Sequence, residues 1–288
     1  MGSSASSPST KSSCAELRRA RPAMGTLLQI TASGPDENAL ARAMEAALAA
    51  VERVDRLMSF HAADSELTRL NLHARHEPVA VDAWTYAVLR RAVHIAEVSG
   101  GVFDVAVAPA LVELGLLPRL EGTLAAGADW RSLKLLPGGR VMFERPMLID
   151  LGGIAKGFAV DQAIHALRRG GCTNAIVNAG GDLRAFGSEP RPIHLRRRSG
   201  LVKIAEMRCG AIATSSPHAA LPEHLAQPIG CIVDPLSDRA WQGEGSVMVA
   251  ARSCVIADAL TKVAALSGRE CQPLLERFGA QAYWDAEA

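Results

Sequence analysis

Apolar residues recur three and four positions apart from Leu40 to Met58, with polar residues between them, the period of a long amphipathic helix. Asp36 stands ahead of this run as an N-cap, where a carboxylate can accept from the first unpaired helical N–H groups. A second helical pattern covers Thr85–Ser99 and stops at Gly100-Gly101, residues able to take the left-handed conformation that ends a helix. A short helix is expected at Ser65–Leu70, and a further long one over Lys156–Arg169, closed by Gly170-Gly171. "VFDVAVAPALVELGLL" reads as loop and helix. Other segments are short enough for strands: Thr26–Ala32 ("TLLQITA"), Leu148–Asp150, then a crowd in the second half. There "NAIVNAGGDLRAFG" reads as strand, glycine turn, strand, and "HLRRRSG", "VKIAEMRCGAIATSS", "IGCIVDP" and "GSVMVAA" as further strands, before "SCVIADALTKVAALS" turns helical. Long helices first and antiparallel-looking strands later predict an α+β fold, a single compact body of antiparallel or mixed sheets packed by long helices. Residues 1–20 are polar and Ser-rich and are expected to be a disordered segment ahead of one folded domain at 21–288.

Composition narrows the function classes. At 288 residues and 49% hydrophobic, the chain can build a sizeable core. Its formal charge of +1 gives no footprint for a nucleic-acid partner, and 4% aromatics supply no stacking platform for single strands. Arg196-Arg197-Arg198 fits a solvated turn or strand edge better than a binding patch. Six cysteines stand at 14, 172, 209, 231, 254 and 271 with no C-x-x-C pair, against a disulfide scaffold or a structural zinc site. No apolar run reaches transmembrane length. The N-terminus lacks the apolar core of a signal peptide, so the expected compartment is cytoplasmic on this sequence, or periplasmic if a leader was trimmed.

Three features carry candidate chemistry. "IDLGGIAKGFAVDQA" (Ile149–Ala163) sets Lys156 among close glycines at the mouth of a helix, where backbone can approach a phosphate and the ammonium can meet its charge. It has neither P-loop nor G-x-G-x-x-G spacing. "NAGGDLRAFG" offers a second close approach with Asp182 beside it. "ADALTK" puts Asp258 and Thr261 one turn apart on one helical face, oxygen donors suited with a main-chain carbonyl to magnesium. Singly, each also fits an ordinary role: a turn, a helix-terminal charge, a solvated lysine.

Taken in order, these pieces resemble one family, the ApbE-type FAD:protein FMN transferases. The matching stretches are "AMGT" (Ala23–Thr26), "MSFHAADSELTRLN" (Met58–Asn71), "GGVFDVAVAPAL" (Gly100–Leu111), "IDLGGIAKGFAVD" (Ile149–Asp161), "NAGGDLRAFG" (Asn178–Gly187), "ATSS" (Ala213–Ser216), "IVDP" (Ile232–Pro235) and "ADAL" (Ala257–Leu260). The resemblance implies an enzyme that takes FAD and Mg2+, cleaves the pyrophosphate, and joins FMN by a phosphoester to a Thr or Ser of an acceptor flavoprotein, releasing AMP. It places Met24 and Phe60 at the adenine or flavin pocket, and Phe103, Asp104, Asp150, Lys156, Asp182 and Ile232 on FAD. It places the Gly153 carbonyl, Asp258 and the Thr261 position around the metal. The catalytic candidates are Lys156, Asp150 and Cys231. Two positions depart from the family pattern. Lys262 stands where the family has a metal-binding Thr, and a protonated lysine cannot ligate. Cys231 replaces a His suited to act as general base, leaving Asp150 or Asp182 to substitute. These departures leave two alternatives beside transfer: a catalytically weakened FAD-binding protein, or a metal-dependent FAD pyrophosphate hydrolase.

Overall fold

The structure is a computed structural model and describes residues 15–120, 127–197, 199–216, 232–243 and 245–286. The chain opens with the hairpin β1 (Ala15–Ala23) and β2 (Thr26–Gly34), followed by α1 (Glu37–Met58), α2 (Glu66–His73), β3 (Val79–Ala80), α3 (Ala83–Val98) and α4 (Ala108–Glu113). The hairpin β4 (Leu133–Leu136) and β5 (Arg140–Phe143) leads to α5 (Ala155–Arg169), then β6 (Asn174–Ala179) and β7 (Asp182–Phe186). After these come β8 (Arg191–Arg197), β9 (Gly200–Met207), β10 (Gly210–Ser215), β11 (Val233–Asp234), β12 (Arg239–Ala240) and β13 (Ser246–Ala251). The last elements are α6 (Cys254–Ser267), α7 (Gln272–Arg277) and β14 (Gln281–Asp285).

Seven strands form the main sheet in the order β1-β2-β6-β7-β10-β13-β14, every neighbouring pair antiparallel. Helices α1, α5 and α6 lie on it: α5 packs between α1 and α6, α5 covers β6 and β7, and α6 covers β10 and β13. The expected α+β architecture is therefore present. The local causes also match expectation. Asp36 caps α1 by accepting from Ala39 N–H, and the helix buries Leu40, Met44, Leu48, Val51 and Met58 on one face. Ser65 caps α2 the same way, its Oγ accepting from Thr68 N–H at 3.0 Å.

Three expectations change. Leu148–Asp150 is not a strand: Ile149 exchanges two hydrogen bonds with the Asn71 side chain, 2.9 and 3.0 Å, and Asp150 N–H donates to Val105 at 2.8 Å. A buried side-chain amide here does what a neighbouring strand would otherwise do. Ala15–Ala20, inside the stretch expected to be disordered, belongs to β1, which pairs residue by residue with β2 from Ala15↔Gly34 to Ala23↔Thr26. Polar composition hid that strand because it forms the sheet edge and shows half of its side chains to solvent. Among the described residues of "IGCIVDP", Val233–Asp234 is strand; Ile229, Gly230 and Cys231 lie outside the described residues.

Candidate active site

The antiparallel order brings two turns and two helices to one end of the main sheet. Ala179 and Asp182 pair across the two-residue turn Gly180-Gly181, both glycines at positive φ, and Gly181 N–H donates to Asn178 Oδ1 at 2.9 Å. A side chain at Gly180 would meet Thr26 Oγ1 at 2.3 Å, so this turn sits against the Met24-Gly25 turn of the first hairpin. The glycine pair in "NAGGD" is thus a close-packed hairpin that starts β7 at Asp182. On the covering helices, a Cβ at Gly157 would lie 2.3 Å from the Cys254 carbonyl oxygen and 2.8 Å from Asp258 Cβ. Only glycine lets α5 and α6 approach this closely, and that approach sets Lys156 and Asp258 side by side.

The result is a cluster of four charges. Lys156 Nζ lies 2.7 Å from Asp182 Oδ2 and 3.7 Å from Asp258 Oδ1. Asp258 Oδ2 accepts from Gly157 N–H at 2.9 Å. Lys262 Nζ donates to Asp258 Oδ1 and, at 3.1 Å, to the Asp258 carbonyl one turn earlier. Both carboxylates are buried, while the side chains of Lys156 and Lys262 keep 28% and 18% exposure. Burial opposes the charge of Asp258, yet the two ammonium groups and the Gly157 N–H outweigh it and hold that carboxyl below its ordinary range. Burial, then the Asp258 charge, push Asp182 the other way despite Lys156 and Lys262. Burial also opposes the charge of Lys156, but Asp182 and Asp258 prevail and raise its pKa, so it remains an ammonium.

Asp150 stands just ahead of α5. Its Oδ2 accepts from Gly152 N–H at 2.9 Å, and burial raises its carboxyl against that bond and against the nearby charges of Lys156 and His61. Phe103 is buried beside Gly153: a Cβ there would lie 3.6 Å from the Phe103 ring and 3.5 Å from Lys262 Cε. Lys262 therefore runs from Gly153 to Asp258, two of the three positions implied for a metal. The third, Thr261, donates its hydroxyl to the Asp258 carbonyl at 2.6 Å and shares a 2.7 Å hydrogen bond with Ser215 Oγ. An oxygen site for magnesium needs acceptor lone pairs turned to a common point. Here both Asp258 oxygens are engaged, the Thr261 hydroxyl is turned to Ser215, and an ammonium lies between Gly153 and Asp258. As arranged, the set does not fit Mg2+.

The remaining candidates take separate places. Asp104 accepts from Ala106 N–H at 2.8 Å and Trp130 N–H at 3.0 Å, so its two oxygens organise a loop; burial raises its carboxyl in spite of them. Met24 lies in the first hairpin turn at φ 51°, next to a shallow cavity of about 320 Å3 lined by Pro22, Ala23, Gly25, Thr26 and Leu27. Phe60 and Ile232 are buried in the core. Cys231 lies outside the described residues.

Residue-by-residue reasoning missed Asp161. Its carboxylate accepts from Cys254 N–H at 2.9 Å and Val255 N–H at 3.0 Å and pairs with Arg184 at 2.7 Å, so it fixes the start of α6 and hence Asp258. The available signal was an Asp on the apolar face of "GFAVDQAIHAL", a position with no reason to be charged unless paired.

Residues 24–284 match the model of the ApbE family. A FAD:protein FMN transferase of Vibrio cholerae is 29% identical over 239 residues, 76% of this chain and 72% of that one. One of Treponema pallidum is 31% identical over 60% of this chain, and one of Rhodobacter capsulatus 29% identical over 89%; the match spans 52% of each of those relatives. Among solved structures, an ApbE protein of Thermotoga maritima superposes with a TM-score of 0.80 at 28% identity, covering 94% of this chain and 93% of that one. The flavin transferase ApbE of Vibrio cholerae shares the fold, with a TM-score of 0.77 at 24% identity over 94% and 93% of the chains. This chain belongs to the ApbE family.

Proposed function

We propose that the protein is a FAD:protein FMN transferase that uses FAD as substrate and a Thr or Ser of an acceptor flavoprotein as nucleophile. The observation that carries this reading is the Lys156–Asp182–Asp258–Lys262 cluster, two partly exposed lysines paired with two buried carboxylates, in a chain of this family. In the proposed reaction the acceptor hydroxyl oxygen bonds to the FMN phosphorus, the bond from that phosphorus to the bridging oxygen breaks, and AMP leaves. The hydroxyl proton goes to Asp150, a carboxyl that burial makes a better base than an exposed aspartate. Lys156 donates to the pyrophosphate and offsets the charge that gathers on the leaving phosphate. Proteins of this family that carry the name FAD:protein FMN transferase support the assignment of substrate and product.

The test is incubation with FAD and an acceptor flavoprotein domain, followed by mass spectrometry of its peptides. A Thr or Ser peptide heavier by FMN less one water is the expected product. Lys156→Ala weakens FAD binding by about 1.5–3 kcal/mol, the worth of a charge-assisted phosphate contact. Acceptor that stays unmodified while FAD binds tightly would overturn the assignment.

A further inference from the structure

We propose that Lys262 supplies from within the chain the positive charge that a divalent cation would otherwise bring, so that this protein holds the pyrophosphate of a dinucleotide without metal. The inference deepens the function proposed above and rests on it for the identity of the ligand. Three observations carry it. First, the lysine stem passes the Gly153 backbone and the ammonium ends on the Asp258 carboxylate and carbonyl, so it spans the place where acceptor oxygens would have to converge on a metal. Second, the hydroxyl of Thr261 is committed to the Asp258 carbonyl and Ser215 and does not replace the donor that Lys262 displaces. Third, donor capacity remains on two partly exposed side chains. An ammonium has three N–H groups. Lys262 places two on Asp258, and Lys156 Nζ is ion-paired with Asp182 at 2.7 Å and with Asp258 at 3.7 Å. Both lysine side chains keep partial exposure, so a pyrophosphate oxygen that reaches them can accept from the N–H groups not engaged by Asp258 or Asp182.

Charge counting separates this site from one built on a metal. With Lys262 the cluster holds two positive and two negative groups and is neutral before the ligand enters. Adding a divalent ion beside Asp258 would place it against the Lys262 ammonium, and the two repel across a few ångströms of partly desolvated space. Metal and Lys262 therefore compete for Asp258, and as built the lysine holds it. A single intrahelical ion pair four residues apart would explain the Asp258 contact alone. It would not explain why the stem lies against Gly153 or why Lys156 approaches the same Asp258 oxygen.

The experiment is FAD affinity, read by quenching of flavin fluorescence, for the parent protein, Lys262→Thr and Lys262→Met, each with Mg2+ and with EDTA. Mn2+ binding by electron paramagnetic resonance is measured alongside. Thermal unfolding identifies any variant that fails to fold. For the parent, the same Kd within about twofold in both buffers and no tight Mn2+ site are expected. Lys262→Met loses affinity about ten- to a hundredfold in both buffers, the loss of one charge-assisted contact. Lys262→Thr loses as much in EDTA, regains affinity with Mg2+, and acquires a Mn2+ signal. Parent binding that collapses in EDTA leaves the proposed function standing and overturns this inference alone. Lys262→Met with parental affinity in EDTA does the same, since the lysine is then only a helix ion pair. Absence of FAD binding by the folded parent in both buffers overturns both.

Discussion

At the scale of single residues, the site works by opposed pulls on neighbouring carboxyls. Asp258 is held low by two ammonium groups and a backbone N–H, whereas Asp150 is raised because burial outweighs its one strong backbone partner and the charges of Lys156 and His61. The Asp150 shift has a direct kinetic consequence. A raised carboxyl is a base only above its own pKa, so the transfer rate falls on acidification through a midpoint above the ordinary aspartate value of 3.8. Asp150→Asn removes that acid limb and lowers the plateau. Its amide oxygen can still accept from Gly152 N–H, and the cost of burying a charge disappears, so the variant melts no lower than the parent. An acid limb that persists at the same midpoint in Asp150→Asn would assign the base to another group. Lys156 and Asp258 were legible in the sequence because each stands in a short motif whose neighbours explain it. Asp161 was not, because its partners Cys254 and Arg184 are far along the chain and only the folded contact gives the charge a reason.

Among elements, the decisive contact is the crossing of α5 and α6 at Gly157. The atoms that a methyl group would meet there are the backbone carbonyl of Cys254 and the Cβ of Asp258, neither of which can rotate away. Gly157→Ala therefore has to separate the helices. It should cost about 1–3 kcal/mol of stability, as overpacking does, and weaken FAD binding because Asp258 moves with α6. Calorimetric unfolding and a flavin titration on the same sample check both parts; an unchanged melting temperature would show that the crossing is looser than the geometry requires. The helical periods of α1, α3 and α5 were readable because each helix has one apolar stripe and a cap or glycine stop. The segment at Leu148–Asp150 was misread because three apolar-flanked residues cannot distinguish a strand from an extended chain held by one buried side chain, here Asn71. The edge strand β1 was misread for the opposite reason: half of its side chains face water and its apolar period is faint.

For the whole molecule, seven antiparallel strands and one helical layer bring the members of the cluster together from three separate parts of the chain: Lys156 from α5, Asp182 from β7, and Asp258 with Lys262 from α6. The fate of FMN is then what distinguishes the possible activities of such a site. A pyrophosphate-binding cleft alone would permit three fates for FAD: simple binding, hydrolysis by water, or transfer to a protein hydroxyl. The direct measurement is the time course of AMP release from FAD with and without an acceptor flavoprotein, alongside covalent flavin on that acceptor. For a transferase, AMP appears only when the acceptor is present and matches the bound FMN one for one. AMP released at the same rate without acceptor, or no AMP from FAD that is demonstrably bound, would contradict it.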